Sequence, residues 1–142
     1  EMNERFLFRG KRKDNGEWVY GGIFYQKSDE VKDKAVYIIC GSLNDVGCAY
    51  EVIPETIGQC TGLKDKNGKL IFEGDIVKFI NDAGKRFLYV AVWNTSLLSW
   101  EVQEISHYVK NDYYGFDELC EYGNTELIGN IHDNPELLEV ER

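Results

Sequence analysis

Short stretches of alternating polar and apolar residues, each cut by a turn-forming pair, dominate this chain, and sustained helical periodicity is almost absent. Arg5-Phe6-Leu7-Phe8-Arg9 alternates in this way and predicts a half-buried strand. Asp14-Asn15-Gly16 predicts a hairpin turn, because Asn-Gly readily supplies positive φ angles. Residues 17–25 form its returning strand, with a bulge expected at Gly21-Gly22. A charged loop over 27–34 leads to a strand at 35–40, a loop to residue 49 and a short strand at 50–53 that Pro54 ends. A second hairpin runs from 56 to 63, turns at Asp65-Lys66-Asn67-Gly68 and returns over 69–80. Asn81-Asp82-Ala83-Gly84 turns the chain again, into strands at 86–93 and 99–105 rich in aromatic and β-branched residues. A helical turn is expected at 116–122 and a last strand at 127–131. A short helix then follows, with Asn134 as N-cap and Pro135 at its first position.

The pattern predicts an all-β protein with minor helix. Gly10, Asn15, Gly16 and Gly22 recur as Gly62, Asn67, Gly68 and Gly74, an echo at an offset of 52 residues. Two readings stay open: independent choice of the same turn chemistry, or duplication of one unit. The expected division is an N-terminal β region over 1–53 and a C-terminal β region over 54–142, able to form one compact unit.

Composition narrows the class. The 142 residues are 43% hydrophobic and 13% aromatic with only 2 prolines, enough apolar content for a core and unlike a disordered chain. No apolar run is long enough for a membrane helix, and no signal peptide is evident, so the expectation is a soluble protein without a membrane partner. The net charge of −9 is located rather than spread. Residues 1–100 balance 14 acids against 14 bases, whereas residues 101–142 carry 11 acids against Lys110 and Arg142. That acidic third disfavours direct nucleic-acid binding and serves either as a solubilising face or as an attraction for a basic protein.

Candidate chemistry is sparse. Cys40, Cys48, Cys60 and Cys120 include no C-x-x-C pair, and His107 and His132 are isolated, so reduced thiols are expected and no metal site. No phosphate-binding glycine loop or nucleophile motif appears, so no catalytic residue, cofactor or enzymatic activity is expected. Most aromatic residues of the 72–100 region belong in a core. An exposed groove would have Tyr89, Trp93 and Trp100 as its first candidates. Glu118, Glu121 and Glu126 are the acidic candidates for a partner contact.

Several long motifs occur in order along nearly the whole chain. They are Arg9-Gly10-Lys11-Arg12 leading into Asn15-Gly16-Glu17-Trp18-Val19-Tyr20-Gly21, then Ile53-Pro54-Glu55-Thr56-Ile57-Gly58-Gln59 and Thr61-Gly62-Leu63-Lys64-Asp65-Lys66-Asn67-Gly68. Phe72-Glu73-Gly74-Asp75-Ile76-Val77 and Ile128-Gly129-Asn130-Ile131-His132-Asp133-Asn134-Pro135-Glu136-Leu137-Leu138 complete the set. With these the chain resembles the YopX family of phage and prophage proteins. The resemblance implies an SH3-like barrel in the 54–142 region and an origin in a bacteriophage or integrated element. The cytoplasm of a bacterial host cell is then the expected location. It implies no activity or cofactor.

Three functions compete on these grounds. The first is a noncatalytic protein acting through protein–protein contacts or assembly, with a homo-oligomer expected. The second is an acidic nucleic-acid mimic that sequesters a host DNA-binding protein, and the third is an enzyme whose site has no recognisable motif.

Overall fold

The computed structural model describes residues 4–26, 35–41, 47–105, 113–115 and 124–139. The expected helical turn at 116–122 lies outside them, as do Glu118, Glu121, His107 and Cys120. The described chain is nearly all β, in two antiparallel sheets. It divides into two compact units, Glu1–Cys60 and Thr61–Arg142. The dividing line falls after residue 60 rather than at 53, because Gly58 and Gln59 pair with the first strand and stay with the N-terminal unit.

In the N-terminal unit, β1 (Phe8–Lys11), β2 (Trp18–Gln26), β3 (Ala35–Cys40) and β4 (Cys48–Glu51) form a meander, with β5 (Gly58–Lys64) on the other side of β1. Val36, Ile38 and Val52 are buried at its centre, with Phe8, Val19, Ile23 and Ile57 packed around them. The expected strand at residues 5–9 begins late. Glu4–Phe6 is a 3-10 turn that leaves Phe6 in solvent, and sheet pairing starts only at Phe8. The bulge expected at Gly21-Gly22 gives no shift of register: the pairing with β1 ends at Gly21 and the pairing with β3 begins at Gly22. Gly21 is needed for a different reason, since a Cβ there would fall on the backbone carbonyl of Ile39.

In the C-terminal unit, β6 (Leu70–Phe72) lies next to the later part of β5. The predicted single strand over 69–80 is two strands, because Gly74 at φ +84° turns the chain before β7 (Asp75–Ile80). The turn is closed by buried Asp75, whose carboxylate accepts the Phe72 amide at 2.8 Å. β7, β8 (Arg86–Asn94), β9 (Ser99–Glu104) and β10 (Tyr113–Gly115) form a meander, and β11 (Thr125–Asn130) returns to pair with β7. The hydrogen-bonded order is therefore β10-β9-β8-β7-β11, with an end strand on each side rather than a closed barrel.

Both faces of this sheet are apolar. Val77, Tyr89, Ala91 and Val102 pack with Ile71 on one side, and Ile76 and Val90 pack with Ile105 on the other. The final segment is a 3-10 turn at Pro135–Leu138, and Asn134 does not cap it. Its Oδ1 instead accepts the Asn130 amide at 3.2 Å, which draws the side chain back toward β11.

Candidate functional site

Of the described residues of the C-terminal unit, the large exposed apolar ones are Trp93, Leu97 and Leu98 on the β8–β9 hairpin and Ile80 at the end of β7. Trp93 and Trp100 are direct cross-strand partners, and their rings meet edge-to-face with centroids 5.1 Å apart. The last pair is Asn94 with Ser99, and the four residues between them make the tip. Asn94 organises that tip: its Oδ1 accepts the amides of Ser96 (2.9 Å) and Leu97 (3.2 Å). Its Nδ2 donates to the buried Glu101 carboxylate at 2.9 Å. Leu98 holds φ +53°, and no other non-glycine among the described residues is left-handed. That conformation costs a leucine roughly 1–2 kcal/mol. Leu97 and Leu98 are 68% and 74% exposed, and Trp93 is 41% exposed.

The three aromatic residues singled out from sequence therefore separate. Trp93 is exposed and packs on half-buried Trp100, whereas Tyr89 is core, 7% exposed and stacked on Phe87 at 6.3 Å. All three lie on one sheet face, because Tyr89 and Trp93 are four residues apart on β8. Leu97 and Leu98 escaped the sequence reading. The available signal was two adjacent leucines where a tight hairpin ordinarily carries polar residues.

The acidic candidate Glu126 is also not a solvated charge. It lies opposite Lys78 across β11 and β7, and its carboxylate accepts Lys78 Nζ at 2.6 Å and meets Lys66 Nζ at 3.3 Å. The hydrogen bonds from Lys78 and Lys66, and then their charges, hold its carboxyl below the usual glutamate range. Reversal by Glu126→Lys should consequently lower the urea unfolding midpoint, whereas a merely solubilising glutamate would leave it unchanged. The expected loss is smaller than for Asp65, discussed below. Glu101 is likewise engaged, by Asn94 and by Ser99 Oγ at 3.5 Å.

In the N-terminal unit the basic run is spent on structure. Arg12 pairs with Asp14 at 2.5 Å and lies 4.1 Å over the Tyr50 ring. Lys13 pairs with Glu51 at 2.9 Å, and Arg9 and Lys11 lie over Trp18 at 4.6 and 5.6 Å. Lys13, Asp14, Ala49, Tyr50 and Glu51 line a shallow depression of about 360 Å³ whose charged walls are paired with one another or with Arg12. Among the described residues, no three His, Cys, Asp or Glu side chains cluster as a metal site would require. No described helix is long and apolar enough to cross a membrane.

These features define an all-β protein of two antiparallel units with an apolar hairpin end. The family model for YopX protein matches residues 7–139, so the chain belongs to the YopX protein family. Among solved structures it is similar to the crystal structure of protein EF1440 from Enterococcus faecalis. That chain is 25% identical, with a TM-score of 0.54 over 93% of this chain and 96% of the other. No curated protein matches the chain.

Proposed function

We propose that this protein is a noncatalytic phage or prophage protein of the bacterial cytoplasm, and that the β8–β9 hairpin end makes its protein–protein contacts. One observation carries the reading: Leu97 and Leu98 stand exposed at a tip held in a strained conformation, beside the Trp93–Trp100 pair. Burying each leucine in a partner's apolar pocket would contribute roughly 1.5–3 kcal/mol, which makes the tip an anchor of the hot-spot kind. A partner can be another protein or a second copy of this chain. The proposal includes the SH3-like architecture, supported by a four-strand meander, β7 to β10, whose fifth strand returns to β7. The nucleic-acid mimic has less support, because Glu101 and Glu126 are spent on internal contacts.

The test is partner capture and light scattering with the full chain and with the double variant Leu97→Ser, Leu98→Ser. The variant should lose the captured partner, or the oligomer, at least tenfold while keeping its unfolding free energy within about 0.5 kcal/mol of the parent. Raising salt from about 0.05 to about 0.5 M should change association little, since an apolar anchor is not screened. Retained association in the variant, or a steep salt dependence abolished by charge reversal of the acidic third, would move the contact surface elsewhere.

A further inference from the structure

The β3–β4 hairpin holds a feature that the contact reading leaves unused. Its register pairs Tyr37 with Glu51, Ile38 with Tyr50, Ile39 with Ala49 and Cys40 with Cys48. Directly opposed residues project from the same sheet face, so the two thiols are neighbours there. The Val52 amide donates to the Val36 carbonyl at 2.9 Å, which makes that pair a hydrogen-bonded one. Alternation along an antiparallel ladder carries the same type to Ile38 with Tyr50 and to Cys40 with Cys48. Such pairs hold their Cα atoms about 5.5 Å apart. A disulfide spans Cα separations of roughly 4.4–6.8 Å, so the backbone spacing admits one, and a small local twist of the two strands brings the Cβ atoms from about 5 Å to the roughly 4 Å it needs.

The surroundings differ for the two sulfurs. Cys40 is half-buried against the Val36, Ile38 and Val52 core, and Cys48 is exposed. Tyr50 follows Cys48 by two residues and shares its face. Its phenol is pushed above its ordinary value, first by its hydrogen bond with Cys48 and by the charge a Cys48 thiolate carries, then by burial, with Arg12 opposing.

We propose that Cys40 and Cys48 are a reversible dithiol–disulfide pair, oxidised by low-molecular-weight disulfides such as oxidised glutathione. Exposed Cys48 attacks as thiolate on one sulfur of the oxidant. A Cys48–glutathione bond forms, the oxidant's S–S bond breaks, and one glutathione thiolate leaves and takes up the proton that Cys48 released. Cys40, as thiolate, then attacks the Cys48 sulfur and expels the second glutathione. The sum is two protein thiols oxidised and one glutathione disulfide reduced to two thiols. The product pins β4 to β3. This inference does not depend on the hairpin-tip reading, whose residues lie in the other unit.

The test equilibrates the full chain in graded ratios of reduced to oxidised glutathione, quenches with acid, alkylates, and maps peptides by mass spectrometry. Cys40 and Cys48 should lose reactivity together, in a linked peptide pair. Half-oxidation in the folded chain should occur at a glutathione ratio about tenfold more reducing than in urea, because the register preassembles the pair. Cys48→Ser and Cys40→Ser should each abolish the linkage and leave a lasting glutathione adduct on the remaining thiol. The wild-type comparison in and out of urea stands even if Cys40→Ser disturbs the core. Equal half-oxidation points folded and unfolded would overturn the proposal. So would a lasting adduct on Cys48 of the wild type with Cys40 still alkylated, or crosslinking of Cys48 between chains.

Discussion

Gly21→Ala should destabilise the N-terminal unit by at least about 3 kcal/mol, or abolish its cooperative unfolding transition, while Gly22→Ala at the next position should change stability by less than about 0.5 kcal/mol. The contrast follows from what each new methyl group meets. At Gly21 it falls on the carbonyl of Ile39, a backbone group held in the β2–β3 ladder that cannot swing aside as a side-chain end would. Relief requires β3 to move away from β2, which uncovers Ile38 and Val36. At Gly22 the methyl meets nothing within 4 Å and the backbone is not left-handed, so the restricted unfolded chain offsets any small loss. Urea unfolding followed by tryptophan fluorescence measures both, with Trp18 reporting from β2 itself. If the two variants unfold at the same midpoint, close approach of β3 is not what holds residue 21 to glycine.

Gly21 also shows where sequence reading stops. The pair Gly21-Gly22 was legible as something special in a strand, but a bulge and a close backbone approach leave the same trace, and only the neighbouring strand distinguishes them. The turns were legible because their chemistry is local. Gly16 and Gly68 adopt φ +72° and +79°, though the glycines alone supply the positive φ and Asn15 and Asn67 do not share it, and Gly74 turns the chain before Asp75. Asn134 failed as a cap because its Oδ1 found the Asn130 amide first, in competition that a cap rule does not include.

The same limit governs the candidate site. Tyr89 and Trp93 stand in one alternation series and look equivalent from sequence. The sheet is buried on both faces near its centre, at Val90 as well as Ala91, so alternation carries no mark of where solvent begins. Exposure is set by distance from the hairpin end, which puts Trp93 at the rim and Tyr89 inside. Glu126 was legible as a charge but not as half of an ion pair, since Lys78 lies 48 residues earlier and becomes its neighbour only when β11 returns to β7.

Asp65→Ala should cost about 3–5 kcal/mol, the second large effect expected of this chain. Asp65 is 6% exposed and serves three backbone amides. Its Oδ1 accepts Asn67 and Lys69, each at 2.9 Å, and closes the β5–β6 turn, while Oδ2 accepts Leu127 at 3.0 Å and ties that turn to β11. Alanine leaves those donors without their carboxylate, each at a desolvation cost of roughly 1–3 kcal/mol that entering water only partly offsets. Asp65→Asn separates geometry from charge: an amide oxygen can keep Asn67 and Lys69, but its NH2 then confronts the Leu127 amide, donor against donor. A loss of about 2 kcal/mol is expected from it.

Burial raises the Asp65 carboxyl, and the amides of Leu127, Lys69 and Asn67 outweigh burial, so it titrates below the ordinary aspartate value. A depressed carboxylate contributes stability fully above its unfolded pKa, near 3.9, and loses it as pH falls through the lower folded value. Glu126 is shifted in the same direction, so the wild-type curve alone mixes two groups. The difference between wild type and Asp65→Asn isolates Asp65: it should be flat from about pH 7 to pH 5 and shrink below about pH 4. Parallel curves down to about pH 2 would mean that Asp65 acts through shape alone and that its charge adds nothing to the turn.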